Sequence, residues 1–211
     1  MLNPLIVFDL DGTLIDSEPS YSQTLKDLIP EISESVEVLT EIYKGRRLIN
    51  IIEDIEIRYE IKVANEFEEN YRKHEIDLIK KSIKPTPGTI DMLSRNPFRY
   101  CIASSAPLEK IKIALKYGGL EQYFKDNIIS SYEINTWKPE PGIFLFAAKY
   151  MKSNIDDCIV IEDSEVGIDA AKRANMEYLK YNPNLSIKYL KENREFRSMS
   201  DLLEIIKEMI K

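Results

Sequence analysis

A chain of 211 residues suits one compact domain with a sizeable insertion, or two small domains. Hydrophobic residues make up 44% and charged residues 31%, the balance of a globular protein, and a net charge of -7 argues against nucleic acid or an anionic membrane as a partner. No stretch approaches the ~18 consecutive apolar residues of a spanning helix, and the N-terminus shows no basic-then-apolar leader, so neither membrane insertion nor secretion is expected.

In chain order, residues 4–9 read as a short buried strand around Leu5-Ile6-Val7. Residues 19–82 change character, being rich in Glu, Lys, Ile and Leu. Ile49, Ile52 and Ile55 recur at helical spacing, as do Ile76, Ile79 and Ile83, which predicts a block of roughly four helices. Pro85-Thr86-Pro87-Gly88 closes that block. Helix is then predicted over 88–95, strand over 98–103, and helix from Pro107 to Tyr117, stopped by Gly118-Gly119. Strand 127–130, helix 140–151 and strand 158–161 follow. Ser164 caps a helix running to Ala174, with Glu165 in its acid-favoured first turn. The last elements are a strand near 177–181 and a helix at 200–210. Short apolar strands alternating with helices imply an α/β fold, a Rossmann-like parallel sheet covered on both faces. The helical block is an insertion after the first strand, expected over the carboxyl ends of the strands, where open α/β sheets bind ligands. Cys101 and Cys158 both fall inside strand-like runs and read as buried free thiols, which fits a reducing cytoplasm.

Polar residues follow these apolar runs at several strand ends. Asp9 and Asp11, in Phe8-Asp9-Leu10-Asp11-Gly12-Thr13, suit a phosphoryl transfer. A first carboxylate can attack phosphorus. A second, protonated at the outset, can protonate the leaving alkoxide and then deprotonate the resolving water. Ser104, with the backbone N–H groups leading into the next helix, can hold phosphoryl oxygens. Lys138 precedes Pro139, which favours an extended backbone, and can neutralise nucleophile and phosphate. Glu162 and Asp163 follow Cys158-Ile159-Val160-Ile161, and with Asp9 and a backbone carbonyl can supply the oxygen ligands that Mg2+ prefers. Each feature alone has an ordinary reading as turn, cap or solvated side chain. Their joint occurrence at the strand ends of one α/β pattern is the signal.

Phe8 to Pro19, with Asp9, Asp11, Gly12 and Thr13, resembles the first motif of the haloacid dehalogenase superfamily. Ser104 matches its second motif, Lys138 in Lys138-Pro139-Glu140-Pro141 its third, and Ile161-Glu162-Asp163-Ser164 with Gly167 its fourth. The insertion directly after the first motif is that of the subgroup with a helical cap, which includes sugar-phosphate phosphatases and β-phosphoglucomutases. Ser131 to Pro139 is most similar to the 6-phosphogluconate phosphatase branch. The resemblance implies a core of residues 1–15 and 84–211 and a cap of 16–83. It implies Asp9 as nucleophile, Asp11 as acid/base, and Ser104 and Lys138 as phosphate ligands. Mg2+ would be held by Asp9, the Asp11 carbonyl, Asp163 and, directly or through water, Glu162. Gly142 and Asn175 depart from the family pattern without removing a catalytic group.

Dehalogenating relatives lack the second aspartate of the first motif, whereas Asp11 is present here. Mutases of the subgroup carry a cap histidine soon after the first motif and a lysine soon after the motif-two serine. Ser17 to Leu28 contains no histidine, Ala106-Pro107 stands at the second place, and the one histidine, His74, reads as an exposed or packed helix residue. The expectation is therefore a Mg2+-dependent phosphatase of a small phosphorylated sugar or sugar acid, with phosphomutase as the alternative and a non-catalytic binding module as a distant one. A monomer or weak homodimer is expected. Substrate choice would lie in the cap, where Gly45-Arg46-Arg47 offers a break followed by two cations; Arg46 or Arg47 is expected to meet an anionic part of the substrate. Ser105 and Glu18 are further candidates for lining the pocket.

Overall fold

Strand β1 (Leu5–Phe8) is buried along its whole length, with Leu5 and Val7 in one apolar cluster and Ile6 and Phe8 in another. Alternation of side chains across a strand explains this split: a central strand of a covered sheet must be apolar on both faces. The computed structural model describes residues 3–210. β1 lies between β2 (Arg99–Ser104) and β4 (Cys158–Glu162), parallel to both. The sheet continues through β3 (Ile128–Ser130), β5 (Glu177–Tyr181), β6 (Tyr189–Leu190) and β7 (Glu195–Phe196), in the order β3-β2-β1-β4-β5-β7-β6. Only the β6–β7 pairing is antiparallel among the named strands.

One face of the sheet is covered by apolar residues of α5 (Thr89–Arg95), α6 (Leu108–Tyr117), α7 (Glu121–Phe124) and α11 (Leu202–Met209), including Met92, Ile111, Phe124 and Ile206. The other is covered by α9 (Gly142–Tyr150) and α10 (Glu165–Arg173), through Ile143, Phe144, Ala170 and Ala171. Ser164 caps α10 as the sequence predicts, its Oγ accepting from the Gly167 N–H at 3.1 Å. Cys101 and Cys158 are free and buried. Among the described residues no helix is long and apolar enough to cross a membrane.

The predicted helical block is α1 (Glu18–Leu28), α2 (Val36–Tyr43), α3 (Leu48–Arg58) and α4 (Phe67–Ser82). These helices bury their own apolar cluster, including Leu25, Leu39, Ile55 and Tyr71. Ile79 and Ile83, at the far end of α4, belong instead to the sheet's cluster. The chain leaves and re-enters the sheet region along two paired segments: Ile15 bridges Pro85, and the Asp16 N–H donates to the Lys84 carbonyl at 3.1 Å. The sequence reading missed α7, the short helix α8 (Ser131–Ile134) and the β6–β7 pair. All are two to four residues long, too short for hydrophobic periodicity to register.

Candidate active site

Register brings the predicted residues together. Phe8 is level with Ile102 of β2 and Ile161 of β4, so Asp9, Glu162 and, one residue further along β2, Ser104 emerge at the same edge of the sheet. The Asp9 N–H continues the ladder to the Ile161 carbonyl at 2.9 Å. The chain then folds back in a tight turn, with Leu14 and Ile15 N–H groups both on the Leu10 carbonyl at 3.0 Å. Gly12 makes this turn with φ 83°, and a Cβ there would stand 2.3 Å from Asp163 Oδ2. Only glycine meets both the left-handed backbone and the close approach.

Asp9, Glu162 and Asp163 are buried, and one carboxylate oxygen from each lies within 4.8 Å of the others. Lys138, from the loop before α9, bridges two of them: Nζ donates to Asp9 Oδ1 and to Glu162 Oε1, the latter at 2.7 Å. Glu162 Oε2 accepts from the Asp163 and Ser164 N–H groups and from Ser164 Oγ, at 2.8–2.9 Å. Asp163 Oδ1 accepts from Thr13 Oγ1 at 2.8 Å. Its Oδ2 is buried without an aligned hydrogen bond, and faces Lys44 Nζ at 2.8 Å. A hard divalent cation fits such an all-oxygen set. Burial pushes the Asp9 carboxyl well above the usual carboxylate range; Lys138 opposes the rise, while Glu162 and Asp163 add to it. Burial works against charge on Lys138, but Asp9 and Glu162 outweigh it and hold the ammonium above its ordinary range.

Asp11 sits differently. Ser17 Oγ donates to its Oδ1 at 2.7 Å, and Tyr21 Oη donates to the same oxygen. Lys110 Nζ lies 3.6 Å from its Oδ2. Ser104 is buried, and its Oγ accepts from the Ala106 N–H at 3.1 Å, so its own hydroxyl proton stays free for a ligand.

Asp9, Asp11, Ser104, Lys138 and Glu162 line a cavity of about 140 Å³, together with Ser105 and residues of the helical insertion that include Arg46 and Arg47. The two candidate arginines diverge. Arg46 is held within the insertion, donating to the Asn50 carbonyl at 3.2 Å with Asp54 at 3.9 Å. Arg47 crosses to the sheet side, its guanidinium 4.1 Å from the centroid of the Trp137 ring. Sequence reasoning missed Lys44, Tyr21, Glu75 and Lys110. Lys44 had a signal, since it precedes Gly45. That glycine has φ 70°, and a Cβ on it would lie 2.7 Å from Ser164 Cβ, marking a close approach of the insertion to the sheet edge.

Glu18 completes the acidic lining, 3.9 Å from Lys44. Burial pushes its carboxyl up to about 9, Asp163 adding to the rise and Lys44 opposing it. Asp163 is pushed up to about 6, again chiefly by burial and then by Glu162. A carboxyl raised on folding stabilises the fold below its unfolded value, and that contribution disappears as pH climbs through the folded value. Metal-free protein is therefore expected to lose stability between about 4.5 and 9 from the Glu18 contribution. In melting curves with chelator across that range, Glu18→Gln is expected to flatten the decline; an unchanged slope would refute the assignment.

A mostly parallel sheet covered on both faces, an acidic cluster at its strand ends and a cavity beside them together define an α/β enzyme. The haloacid dehalogenase-like hydrolase family matches residues 4–175, and the 6-phosphogluconate phosphatase of Escherichia coli K12 is 31% identical over 175 residues, 82% of this chain and 79% of that protein. The chain belongs to the haloacid dehalogenase-like hydrolases. With named phosphatases among its relatives, it is a phosphoric monoester hydrolase. A haloacid dehalogenase-like protein of unknown function from Agrobacterium tumefaciens superposes with a TM-score of 0.84 at 28% identity, covering 99% of this chain and all of that one. The β-phosphoglucomutase of Clostridium difficile superposes with a TM-score of 0.78 at 24% identity, over 98% of this chain and 96% of its own, a likeness of fold alone.

Proposed function

We propose that the protein is a magnesium-dependent phosphatase of a small phosphorylated sugar or sugar acid, working through an aspartyl phosphate on Asp9. The observation that carries this reading is Lys138 bridging Asp9 and Glu162 beside Asp163, in a buried cluster open to the cavity. Residues 16–83 act as the cap and 1–15 with 84–211 as the core, hinged at the paired Ile15–Asp16 and Lys84–Pro85 segments.

Lys138 fixes one oxygen of Asp9, leaving the other to form the bond to phosphorus as the bond to the leaving oxygen breaks. Asp11 gives that oxygen its proton. Ser104 Oγ donates to a phosphoryl oxygen, and Lys138 balances the charge spread over the loose transition state. Asp11 then takes a proton from water, which attacks phosphorus, releases inorganic phosphate and restores the Asp9 carboxylate. Asp9, Asp163 and the Asp11 carbonyl, with Glu162 through water, would hold a magnesium ion that supplies further neutralisation of the phosphoryl oxygens. Closure of the cap excludes bulk water from the first step.

Water rather than a sugar is the acceptor in this reading, which the position of the one histidine outside the cavity supports. His74 Nε2 lies 2.7 Å from Asp27 Oδ2 within the helical insertion. Both thiols being free and buried supports a reducing, cytoplasmic setting.

Phosphate release from a panel of sugar phosphates, sugar-acid phosphates and nucleotides, with magnesium and with chelator, tests the reading. Magnesium-dependent release supports it; no release from any ester rejects it. On the same panel, Arg47→Ala is expected to raise KM about tenfold for substrates bearing a second anionic group, since a lost charged hydrogen bond costs about that much. Arg46→Ala, already satisfied inside the insertion, should leave KM nearly unchanged. Equal effects would remove Arg47 from substrate binding.

A further inference from the structure

Lys110 is a buried lysine that the reaction as written above does not use. It sits on α6 with its ammonium among three partners: Glu75 Oε1 at 3.2 Å, Asp11 Oδ2 at 3.6 Å and the face of the Tyr21 ring at 3.9 Å from its centroid. Glu75 comes from α4 of the helical insertion and is 1% exposed. Its second oxygen pairs with Arg72 Nη1 at 3.3 Å, and Arg72 in turn donates to Tyr132 Oη at 3.1 Å on the sheet side. A charged chain therefore runs from the insertion to the Asp11 carboxyl.

We propose that Lys110 and Glu75 form a positioning pair that orients Asp11 Oδ2 toward the leaving oxygen while α4 is docked on α6. The proposal rests on the phosphatase reading of the same site. Ser17 and Tyr21 already hold Oδ1, so Oδ2 is the oxygen left to deliver the proton. Lys110 restrains that oxygen at a distance longer than a direct hydrogen bond, because Glu75 holds the ammonium closer to itself. Without Lys110, Oδ2 loses its only cationic restraint among the described contacts. Without the Glu75 charge, the ammonium is free to close on Oδ2 and occupy it. Either change misplaces the proton donor and leaves Asp9, Lys138 and Ser104 untouched.

Leaving-group dependence separates positioning from mere packing. A sugar 6-phosphate departs as an alkoxide that needs the proton, whereas p-nitrophenyl phosphate departs as a stable anion that does not. Wild type, Glu75→Gln, Lys110→Met and the double variant Glu75→Leu/Lys110→Met are assayed on both esters with saturating magnesium, alongside melting curves. Each variant is expected to lose about 100-fold in kcat on the sugar phosphate and less than about tenfold on the nitrophenyl ester, with little change in KM. Removing both members of the Lys110–Glu75 pair leaves neither facing an uncompensated partner in the other, so the double variant should melt closer to wild type than the single variants and still show the selective loss. Equal losses on both esters, or sugar-phosphate activity restored with stability in the double variant, would overturn the proposal. A wild type that hydrolyses neither ester would overturn the phosphatase reading itself, and this pair with it.

Discussion

Asp9→Asn is expected to lower phosphate release by about 10⁴-fold or more, the scale seen when a covalent nucleophile is removed. The carboxamide is nearly isosteric and its carbonyl still accepts from Lys138, so the site keeps its shape while losing the oxygen proposed to attack phosphorus. Stability should move the other way. Burial and the neighbouring Glu162 and Asp163 carboxylates raise the Asp9 carboxyl on folding, so its charged form works against the fold at neutral pH. A neutral side chain relieves that repulsion, and Lys138 retains Glu162 as its counter-ion. Melting of the metal-free variant at pH 8 is thus expected at or above the wild-type temperature, the usual trade of activity against stability at a strained site. Activity within tenfold of wild type would remove Asp9 as nucleophile. A lower melting temperature would mean that the carboxylate contributes more to the Lys138 bridge than its burial costs.

The parts of this site legible in the sequence share one physical origin. A buried strand must be apolar, so the first polar residue after it marks the sheet edge; Asp9 after Phe8 and Glu162 after Ile161 are found that way, and parallel register then brings them together. Ser104 is found by the same logic on β2. Three of the residues that were missed lie on helices, where nothing local announces a partner; the fourth, Lys44, lies in a loop and is marked only by the Gly45 that follows it. Lys110 and Glu75 look like solvated helix residues, yet each is almost fully buried because α4 docks on α6. Tyr21 meets Asp11 only because the turn after β1 carries α1 back over the strand end. Adjacent Arg46 and Arg47 looked interchangeable in the sequence. In the fold Arg46 is held against α3, while Arg47 stands before its first residue and turns to Trp137.

Lys138→Met should be the most destructive single change to the electrostatics of the cluster. The lysine is the cation shared by Asp9 and Glu162, and its removal leaves two buried carboxylates beside Asp163, which keeps its own pairing with Lys44. Breaking a buried ion pair from one side costs about 3–5 kcal/mol, more than forming it gained, because the desolvated partner stays behind. The cost must depend on pH with a definite sign. The Asp9 carboxyl, raised on folding, takes up its proton before an unfolded carboxylate would, so the destabilisation should be smaller in acid, where Asp9 is neutral, and grow as pH rises. Magnesium should restore part of the loss by supplying the missing positive charge to the folded state alone. Turnover should not recover with it: a fixed donor aimed at the developing charge is worth about 10²–10³-fold, and a bound ion elsewhere in the cluster does not replace its geometry. Melting curves at pH 5 and pH 8, with chelator and with magnesium, followed by phosphate release at saturating magnesium, separate the two roles. A pH-independent melting temperature equal to wild type would show that the Lys138 bridge carries no charge balance, and full turnover would show that it carries no catalysis.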